Sequence, residues 1–378
     1  MRDTGRVVGF HRLTPMALSA QLPTCHTSTR RAQLVAAAVG CLDAYVHAWV
    51  AAPPGMPEDA GPAVLAALAG ATAHPDAEWH ASRAVTVWQH GFHRGTAGIG
   101  LYRGQAGYAA GLACAATRQP RLRALADWEA QALAERWAVA PVTRDEYTLV
   151  AGAPGAILAL ACAERPDPDR VVPLARRLAA VPEWPPDMDT GLGYGVAGVA
   201  AALRAACDIV RPAGDLAAAL RRACDWLVGR STVDSQAVPT WPVPDSGWAH
   251  GTPGIAWTLW DAGRVLDDPR LRRRALRAMD SYCGQLLRSD LPPRAALTFA
   301  HGVAGSLAVA DAFARHAHLP SAHDLRDRIA EHLVDRLAEV RALADHQMLL
   351  LDGACGVLAA MLTAGGGDRR WLTQYGLR

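Results

Sequence analysis

The stretch Asp245–Trp260, DSGWAHGTPGIAWTLW, predicts a loop that passes through two closely spaced glycines into a buried helix. Gly251 and Gly254 enclose a Thr-Pro pair, and an almost wholly apolar segment follows them. The same pattern of a glycine, two residues, a second glycine and an apolar segment occurs five more times. The other glycine pairs are Gly104–Gly107 (GQAG), Gly152–Gly155 (GAPG), Gly195–Gly198 (GVAG), Gly302–Gly305 (GVAG) and Gly353–Gly356 (GACG).

The spacing of these glycine pairs indicates a repeat. Their first glycines stand at positions 104, 152, 195, 251, 302 and 353, which gives steps of 48, 43, 56, 51 and 51 residues. One G-x-x-G carries little information, but a recurrence about every 50 residues is typical of a repeat architecture. Because one repeat cannot bury its apolar face alone, the 378 residues are expected to form one domain.

The segments between the glycines are of two kinds. Those that directly follow a pair are apolar on nearly all faces, which is typical of inner helices. Between them lie segments rich in Arg and Glu, in which apolar residues such as Leu325, Ile329 and Leu333 recur at helical spacing. This alternation predicts an all-α fold, an α/α toroid with a double ring of inner and outer helices. An open α-solenoid is the alternative, but its concave face would be partly polar.

Within this single domain, residues 1–80 are expected to form an N-terminal arm and the first helices, and residues 81–378 the main toroid. We expect each glycine pair to permit unusual backbone angles where a helix begins. We also expect it to let the chain pass close to its neighbour. All inner helices would then start at one end of the ring. Their unpaired N–H groups and partial positive charge make that end a natural site.

Composition narrows the class of protein. The formal net charge of +2 favours neither a nucleic acid nor an anionic membrane as a partner. The most apolar stretch, Thr148–Cys162, is too short to span a membrane, and no signal peptide stands out. The eight cysteines form no C-x-x-C and lie in apolar segments, which predicts free thiols in a reducing compartment. We therefore expect a cytoplasmic protein.

Two stretches carry a family resemblance: Trp248–Gly254 (WAHGTPG) and Ala300–Gly305 (AHGVAG). Together with the glycine pairs, they resemble the lanthionine synthetase C-like family over roughly residues 80–378. The resemblance implies an α/α toroid that adds cysteine thiols to dehydroalanine or dehydrobutyrine with the help of one zinc ion. The product is a thioether ring in a ribosomally made precursor peptide. The implied partners are that peptide and a dehydratase, kinase or lyase.

The sequence departs from the family where the family's zinc chemistry resides. Ala249 and Ala300 stand where the resemblance places zinc-binding cysteines, and only His301 remains of the three ligands. Tyr194 and Thr148 stand where a histidine and an aspartate of the family are expected. Because alanine has no donor atom, the family's zinc site is not expected to form, and we predict no metal and no cofactor.

The residues directly before the first glycines are expected to surround one end of the toroid. In repeat order they are Arg103, Ala151, Tyr194, His250, His301 and Asp352. We predict that His301, His250, Tyr194 and Asp352 are catalytic, because thiol addition needs a base and then a proton donor. We predict that Arg103, Asp245 and Trp248 bind the substrate. These residues predict a lanthipeptide-type cyclase that works without zinc.

Four other interpretations remain open. The polar side chains could simply hydrogen-bond neighbouring loops. His250, His301 and Asp352 could form a metal site of two histidines and one carboxylate. The chain could be a non-catalytic pseudo-cyclase, a scaffold that binds the precursor or a modifying enzyme. A terpene-cyclase-like toroid is the least favoured, because the chain has no D-x-D-D and its nearest stretch is Asp187–Thr190 (DMDT).

Overall fold

The computed structural model describes residues 24–51, 59–92, 98–138, 144–181, 183–210, 213–241, 247–289, 291 and 297–378. In these ranges the α-helices are α1 (Thr24–Ala51), α2 (Gly61–Ala69), α3 (Ala77–His90), α4 (Gln105–Ala116), α5 (Arg123–Ala138), α6 (Ala153–Ala161), α7 (Pro168–Ala179), α8 (Val196–Ile209), α9 (Gly214–Gly229), α10 (Thr252–Val265), α11 (Pro269–Arg288), α12 (Val303–His316), α13 (Pro320–Asp335), α14 (Leu337–Ala344) and α15 (Ala354–Ala364). Short 3-10 helices cover Pro120–Leu122, Arg144–Tyr147 and Arg370–Tyr375. Strands β1 (Thr232–Val233) and β2 (Pro239–Thr240) pair antiparallel, with Thr232 opposite Thr240.

Seven helices form a closed inner ring. In ring order they are α2, α4, α6, α8, α10, α12 and α15. Each contacts the next, and α15 contacts α2. An open solenoid would leave its first and last helices apart, so these contacts confirm the predicted α/α toroid.

The outer helices lie against the inner ring with one face. Helices α3, α5, α7, α9, α11 and α13 each contact the inner helix that precedes them, and α1 and α14 both contact α15. Helix α13 buries Leu325, Ile329 and Leu333, the residues whose spacing predicted its apolar face. Each such side chain contributes roughly 1.5–3 kcal/mol by leaving water. Inner helix α8, in contrast, is buried on all faces from Val196 to Cys207.

The first glycine of each pair caps the helix but does not adopt unusual angles. Its φ runs from −78° at Gly251 to −136° at Gly195, which any residue can adopt. The predicted reason for this glycine was therefore wrong. Space is the reason at Gly195 and Gly353, because a Cβ there would overlap the carbonyl groups of Asp189 and Gln347.

The second glycine of each pair allows a close approach between chain segments. A Cβ on Gly198 would lie 2.6 Å from the carbonyl oxygen of Leu192, which stands three residues before the first glycine. In the other five pairs the second glycine faces the carbonyl oxygen at the same relative position even more closely. The predicted role of the glycines in close packing is thereby confirmed, and the repeat is strict at atomic detail.

A ring of backbone hydrogen bonds joins the starts of the inner helices. In five of the six glycine repeats, the residue two positions before the first glycine donates its N–H to the carbonyl oxygen of the equivalent residue in the next repeat. The bonds are Tyr102 to Val150 (3.0 Å), Val150 to Gly193 (3.1 Å), Gly193 to Ala249 (2.8 Å), Ala249 to Ala300 (3.0 Å) and Ala300 to Leu351 (2.9 Å). The inner helices therefore begin at one end of the toroid, as the glycine pattern predicted.

The seventh inner helix, α2, closes this ring without a glycine pair. Asp59 stands one residue before its N-cap, Ala60, and is fully buried. The Asp59 carboxylate accepts hydrogen bonds from the N–H of Leu350 at 2.9 and 3.0 Å and from the N–H of Gly61 at 2.8 Å. A side chain thus replaces the backbone carbonyl that the other repeats supply.

The C-terminal segment lies inside the ring. Trp248 and Trp257 donate their indole N–H groups to the carbonyl oxygens of Tyr375 (3.0 Å) and Gly376 (2.9 Å). Gly376 has a φ of 68° and lies against Leu158, Leu192 and Ala201, a backbone conformation in which a side chain would be strained. The segment therefore fills the centre of the toroid, which is a packed core and not an open channel.

The cysteines are packing residues. Cys41, Cys114, Cys162, Cys207, Cys224, Cys283 and Cys355 are free and buried. Burial is the main cause that raises the pKa of Cys41 to about 11 and that of Cys114 to about 12. The prediction of free thiols is confirmed for these seven, and the side chain of Cys25 lies outside the described residues.

One helical stretch, Thr29–Ala51 in α1, is long and apolar enough to cross a membrane by length and composition. Half of it is buried against the rest of the molecule, as the core helix of a globular fold would be.

Replacing Asp59 by alanine should lower the free energy of unfolding by about 2–6 kcal/mol. The change leaves two buried backbone N–H groups without their acceptor, at about 1–3 kcal/mol each. Burial raises the pKa of Asp59 from 3.8 to about 6, against the lowering effect of its backbone hydrogen bonds. Between pH 3.8 and about pH 6 the folded state therefore binds more protons than the unfolded state. The contribution of Asp59 to the free energy of unfolding declines as the pH rises through that range.

Denaturant unfolding at pH 5 and pH 7.5 measures both effects. The loss in Asp59→Ala should be larger at pH 5 than at pH 7.5. Asp345→Ala, which removes an exposed aspartate, serves as the matched control. An Asp59→Ala protein as stable as this control would contradict the ring-closing role of Asp59.

Candidate functional site

Three of the predicted residues meet at the end of the toroid where the inner helices begin. Tyr194, His250 and His301 stand directly before the first glycines of α8, α10 and α12. The backbone hydrogen bonds between Gly193, Ala249 and Ala300, the residues just before them, set these side chains side by side. All three side chains are partly exposed. The glycine repeat therefore creates a site from three successive helix starts.

The three rings are nearly parallel. The centroids of Tyr194 and His250 are 4.8 Å apart at an interplanar angle of 10°. The centroids of His250 and His301 are 5.4 Å apart at 19°. The centroids of Tyr194 and His301 are 6.3 Å apart at 9°. These distances form a triangle, so each ring contacts both others, and we call this set the ring cluster.

An aspartate that the sequence did not single out completes the ring cluster. Asp189 Oδ2 lies 2.9 Å from Nδ1 of His250. The other carboxylate oxygen, Oδ1, accepts a hydrogen bond from the N–H of Gly191 at 2.5 Å. Both side chains are partly exposed, at 24% for His250 and 34% for Asp189. The site therefore contains an aspartate–histidine pair beside the stacked rings.

The backbone of Asp189 is anchored as firmly as its carboxylate. Its carbonyl oxygen accepts a hydrogen bond from the N–H of Val196 at 3.0 Å and lies against Gly195. Burial alone would raise the pKa of Asp189, but the hydrogen bonds from His250 and Gly191 outweigh it and lower that pKa. The carboxylate is therefore ionised at neutral pH.

Tyr194 lies in a negative environment. Burial is the main cause that raises its pKa, and the charges of Asp352 and Asp189 and the hydroxyl of Tyr102 add to the effect. Its phenol is therefore protonated at neutral pH and can donate a proton or a hydrogen bond.

Arg103 and Asp352 occupy the remaining polar positions of the ring of helix starts. Arg103 has a φ of 52°, a left-handed conformation that is strained for a residue with a side chain. Its guanidinium lies 5.6 Å from the centroid of the Tyr102 ring. Its positive charge tends to lower the pKa of Asp59. The negative charge of Asp352 helps to raise the pKa of Tyr194. Ala151, in the second repeat, is exposed.

The structure corrects the expected role of Trp248. Its side chain is fully buried, and its ring centroid lies 5.4 Å from that of Phe299 and 5.3 Å from that of Tyr375. A residue with no exposed surface cannot contact a peptide, so Trp248 is a core residue that holds the C-terminal segment. Asp245, the other loop residue predicted to bind substrate, lies outside the described residues.

The residues present do not fit the family's zinc ion. Ala249 and Ala300 are buried at the positions of the two cysteines and carry no donor atoms. His301 alone of the expected ligands is in place. In the part of the chain that the structure describes, no three His, Cys, Asp or Glu residues form a group that could hold a metal, so His250, His301 and Asp352 do not form one.

The cleft beside the ring cluster is much smaller than a cavity at the opposite end of the toroid. A cleft of about 10 Å³ lies beside His301 and Gly302, between α11 and α12. A cavity of about 430 Å³ lies between α4, α5 and α6, near the C-terminal ends of the inner helices α4 and α6. Alanines and four charged residues line the larger cavity, and none of the predicted site residues reaches it. The predicted site residues that the structure describes therefore lie away from the larger cavity.

Comparison with known proteins agrees with this architecture. A family model described as lanthionine synthetase C-like protein matches residues 63–373, which include most of α2 and part of the C-terminal segment. A solved structure named nisin cyclase is similar with a TM-score of 0.71 and 13% sequence identity, over 89% of this chain and 97% of that chain. At that identity the likeness shows the fold alone. No curated protein matches this chain by sequence.

Proposed function

This chain belongs to the lanthionine synthetase C-like family, and on that premise we propose that it matures a ribosomally made, dehydrated precursor peptide. The proposed reaction adds a cysteine thiol to dehydroalanine or dehydrobutyrine without zinc and closes a lanthionine-type thioether ring. The observation that carries the proposal is the ring cluster of Tyr194, His250 and His301 at the starts of the inner helices.

The ring cluster contains the groups that this addition needs. A neutral imidazole takes the thiol proton, and the sulfur forms a bond to Cβ of the dehydroamino acid. The electron pair of the C=C bond moves toward Cα and its carbonyl, which gives an enolate. A proton delivered to Cα completes the reaction, and the Tyr194 hydroxyl can donate a hydrogen bond to the enolate oxygen. Bonds, electrons and protons balance without an oxidant or a metal.

Zinc is not a chemical necessity for this step. A cysteine thiol is already ionised to a few per cent near pH 7, and its thiolate is strongly nucleophilic. General acid–base catalysis typically contributes about 100- to 10,000-fold. A base held beside the thiol therefore substitutes for part of the activation that a zinc–thiolate bond would supply.

The remaining helix-start residues would receive the peptide. We propose that Arg103, which is partly exposed, attracts a carboxylate of the precursor. The partial positive charge of the helix N-termini adds to that attraction. Asp352 would complete the polar rim on the side of Tyr194, and we propose that Asp245 also binds the peptide.

The proposed partner is the dehydrated precursor, supplied by a dehydratase or by a kinase and a lyase. Because a free cysteine substrate and seven buried free thiols suit a reducing compartment, we propose that the protein works in the cytoplasm.

One observation favours a second candidate function, a pseudo-cyclase that binds the precursor or a modifying enzyme without catalysis. Ala249 and Ala300 remove both zinc-binding cysteines, and the cleft beside His301 has a volume of only about 10 Å³. An inert scaffold, however, has no need for a stacked tyrosine and two histidines with a carboxylate partner. The enzyme therefore remains the first proposal.

One experiment distinguishes the cyclase from the non-catalytic scaffold. The protein is incubated with a synthetic peptide that contains one dehydroalanine followed by one cysteine, and free thiols are counted over time against a protein-free control. An enzyme accelerates thiol loss without a change in peptide mass. A scaffold binds the peptide, as seen by calorimetry, but leaves thiol loss at the protein-free rate.

We expect tag-free protein to contain far less than one zinc per chain, because alanine replaces two of the three expected ligands. Elemental analysis measures the content directly. The double variant Ala249→Cys/Ala300→Cys restores the donor set and should raise the zinc content, so it serves as the positive control. One zinc per chain that disappears in His301→Ala would contradict the proposal of a zinc-free site.

A further inference from the structure

We propose that His250 is the general base of this site and that Asp189 is its positioning residue, which holds the proton on Nδ1 so that the lone pair on Nε2 accepts the thiol proton. This assignment rests on the proposed function and makes it specific. It follows from the pair of hydrogen bonds that fix the Asp189 carboxylate.

The first step concerns the proton on His250. An ionised carboxylate only accepts hydrogen bonds, so the 2.9 Å contact between Asp189 Oδ2 and His250 Nδ1 requires a proton on Nδ1. In a neutral imidazole the other nitrogen then carries the lone pair. Nε2 is therefore the basic atom of His250.

The second step concerns rigidity. The Asp189 carboxylate is fixed by the N–H of Gly191, and its carbonyl oxygen by the N–H of Val196. The imidazole ring of His250 stacks against both Tyr194 and His301, with centroid distances of 4.8 and 5.4 Å. A base held in this way does not have to reorient before it takes the proton.

The third step is the reaction. Nε2 takes the proton from the substrate thiol while the S–Cβ bond forms, and the C=C electron pair moves to the enolate. The carboxylate of Asp189 stabilises the imidazolium that results. The imidazolium then returns the same proton to Cα, so His250 ends neutral. Tyr194 and His301 are left to contact the enolate oxygen.

The Gly191 hydrogen bond makes Asp189→Asn a sharp test. In the variant, the asparagine oxygen must accept the Gly191 N–H, which already holds Oδ1 in the wild type. The amide NH₂ then faces His250 Nδ1 and donates to it. This reverses the tautomer, puts the proton on Nε2 and removes the base, with almost no change in size.

The first measurement follows the tautomer. Protein labelled with ¹⁵N-histidine is examined by long-range ¹H–¹⁵N correlation spectroscopy, and the His250 signals are assigned by their loss in His250→Gln. We expect a protonated Nδ1 in the wild type and a protonated Nε2 in Asp189→Asn. Because the wild type alone decides where the proton lies, a variant that fails to fold does not remove the test.

The second measurement is the rate of thioether formation with the synthetic dehydroalanine–cysteine peptide. Asp189→Asn should be slower by at least about 100-fold, the lower range for loss of a general base. Asp187→Asn, which changes an exposed carboxylate on the same loop, should keep the wild-type rate.

The outcomes separate this inference from the proposed function. A wild-type protein that forms thioethers, with Asp189→Asn equally fast or with Nε2 protonated in the wild type, overturns the roles of Asp189 and His250 only. A wild-type protein that forms no thioether overturns the proposed function, and the assignment of a base falls with it.

Discussion

Replacing His301 by alanine should slow thioether formation by about 100- to 1,000-fold, the range typical of a lost group that stabilises an oxyanion. His301 lies 5.4 Å from His250 and 6.3 Å from Tyr194, measured between ring centroids. Its removal therefore takes away one ring of the ring cluster and one of the two groups proposed to contact the enolate oxygen. Because His301 is partly exposed and stands in the loop before α12, the fold should remain intact.

Thiol counting with the synthetic peptide measures the rate, and the melting temperature measures the fold. His346→Ala is the matched control, because His346 is an exposed histidine before the start of α15. It should keep the wild-type rate. If His301→Ala also forms rings at the wild-type rate, the catalytic role of the ring cluster fails.

Replacing Gly356 by alanine should lower the free energy of unfolding by at least about 3 kcal/mol. A Cβ on Gly356 would overlap the carbonyl oxygen of Leu350 and would lie 3.0 Å from Cβ of Phe299. The neighbouring N–H of Leu350 is held by Asp59, so the backbone cannot withdraw without breaking the ring of hydrogen bonds. The strain therefore falls on the closed ring and not on a flexible side chain.

Denaturant unfolding midpoints of the variant and of Gly40→Ala measure this effect. Gly40 lies exposed in the middle of α1, and a Cβ there would meet no atom within 4 Å. Alanine at that position should stabilise the helix by about 0.5–1 kcal/mol. A Gly356→Ala protein as stable as Gly40→Ala would show that the second glycine of the pair is not needed for packing.

The glycine pairs alone were enough to predict much of the molecule. Their period of about 50 residues and the apolar segments after them encode the inner helices within short stretches of chain. The residue before each first glycine predicted that Tyr194, His250 and His301 would meet, because equivalent positions of a repeat occupy equivalent places in the ring. Such local patterns can be recognised in the sequence because each repeat contacts its neighbours through the same few positions.

Tertiary structure decided the features that depend on contacts between distant residues. The seventh inner helix, α2, has no glycine pair, and it joins the ring through Asp59 and Leu350, which are 291 positions apart. Asp189 and His250 are 61 positions apart and do not occupy equivalent positions of the repeat, so the repeat pattern could not predict their hydrogen bond. Trp248 looked like a loop residue beside the site, but it is buried against Phe299 and against Tyr375 of the C-terminal segment, 127 positions away.

The physical reason for this division is the range of the interactions. Helix periodicity and glycine spacing are set by neighbours within about one repeat, so the sequence alone was enough to predict the toroid and the meeting of Tyr194, His250 and His301. Ring closure, the filled centre and the carboxylate behind His250 each require contact between chain segments that are far apart in the sequence. The rest of the fold brings these segments together, so only the complete structure shows which side chains make the contacts.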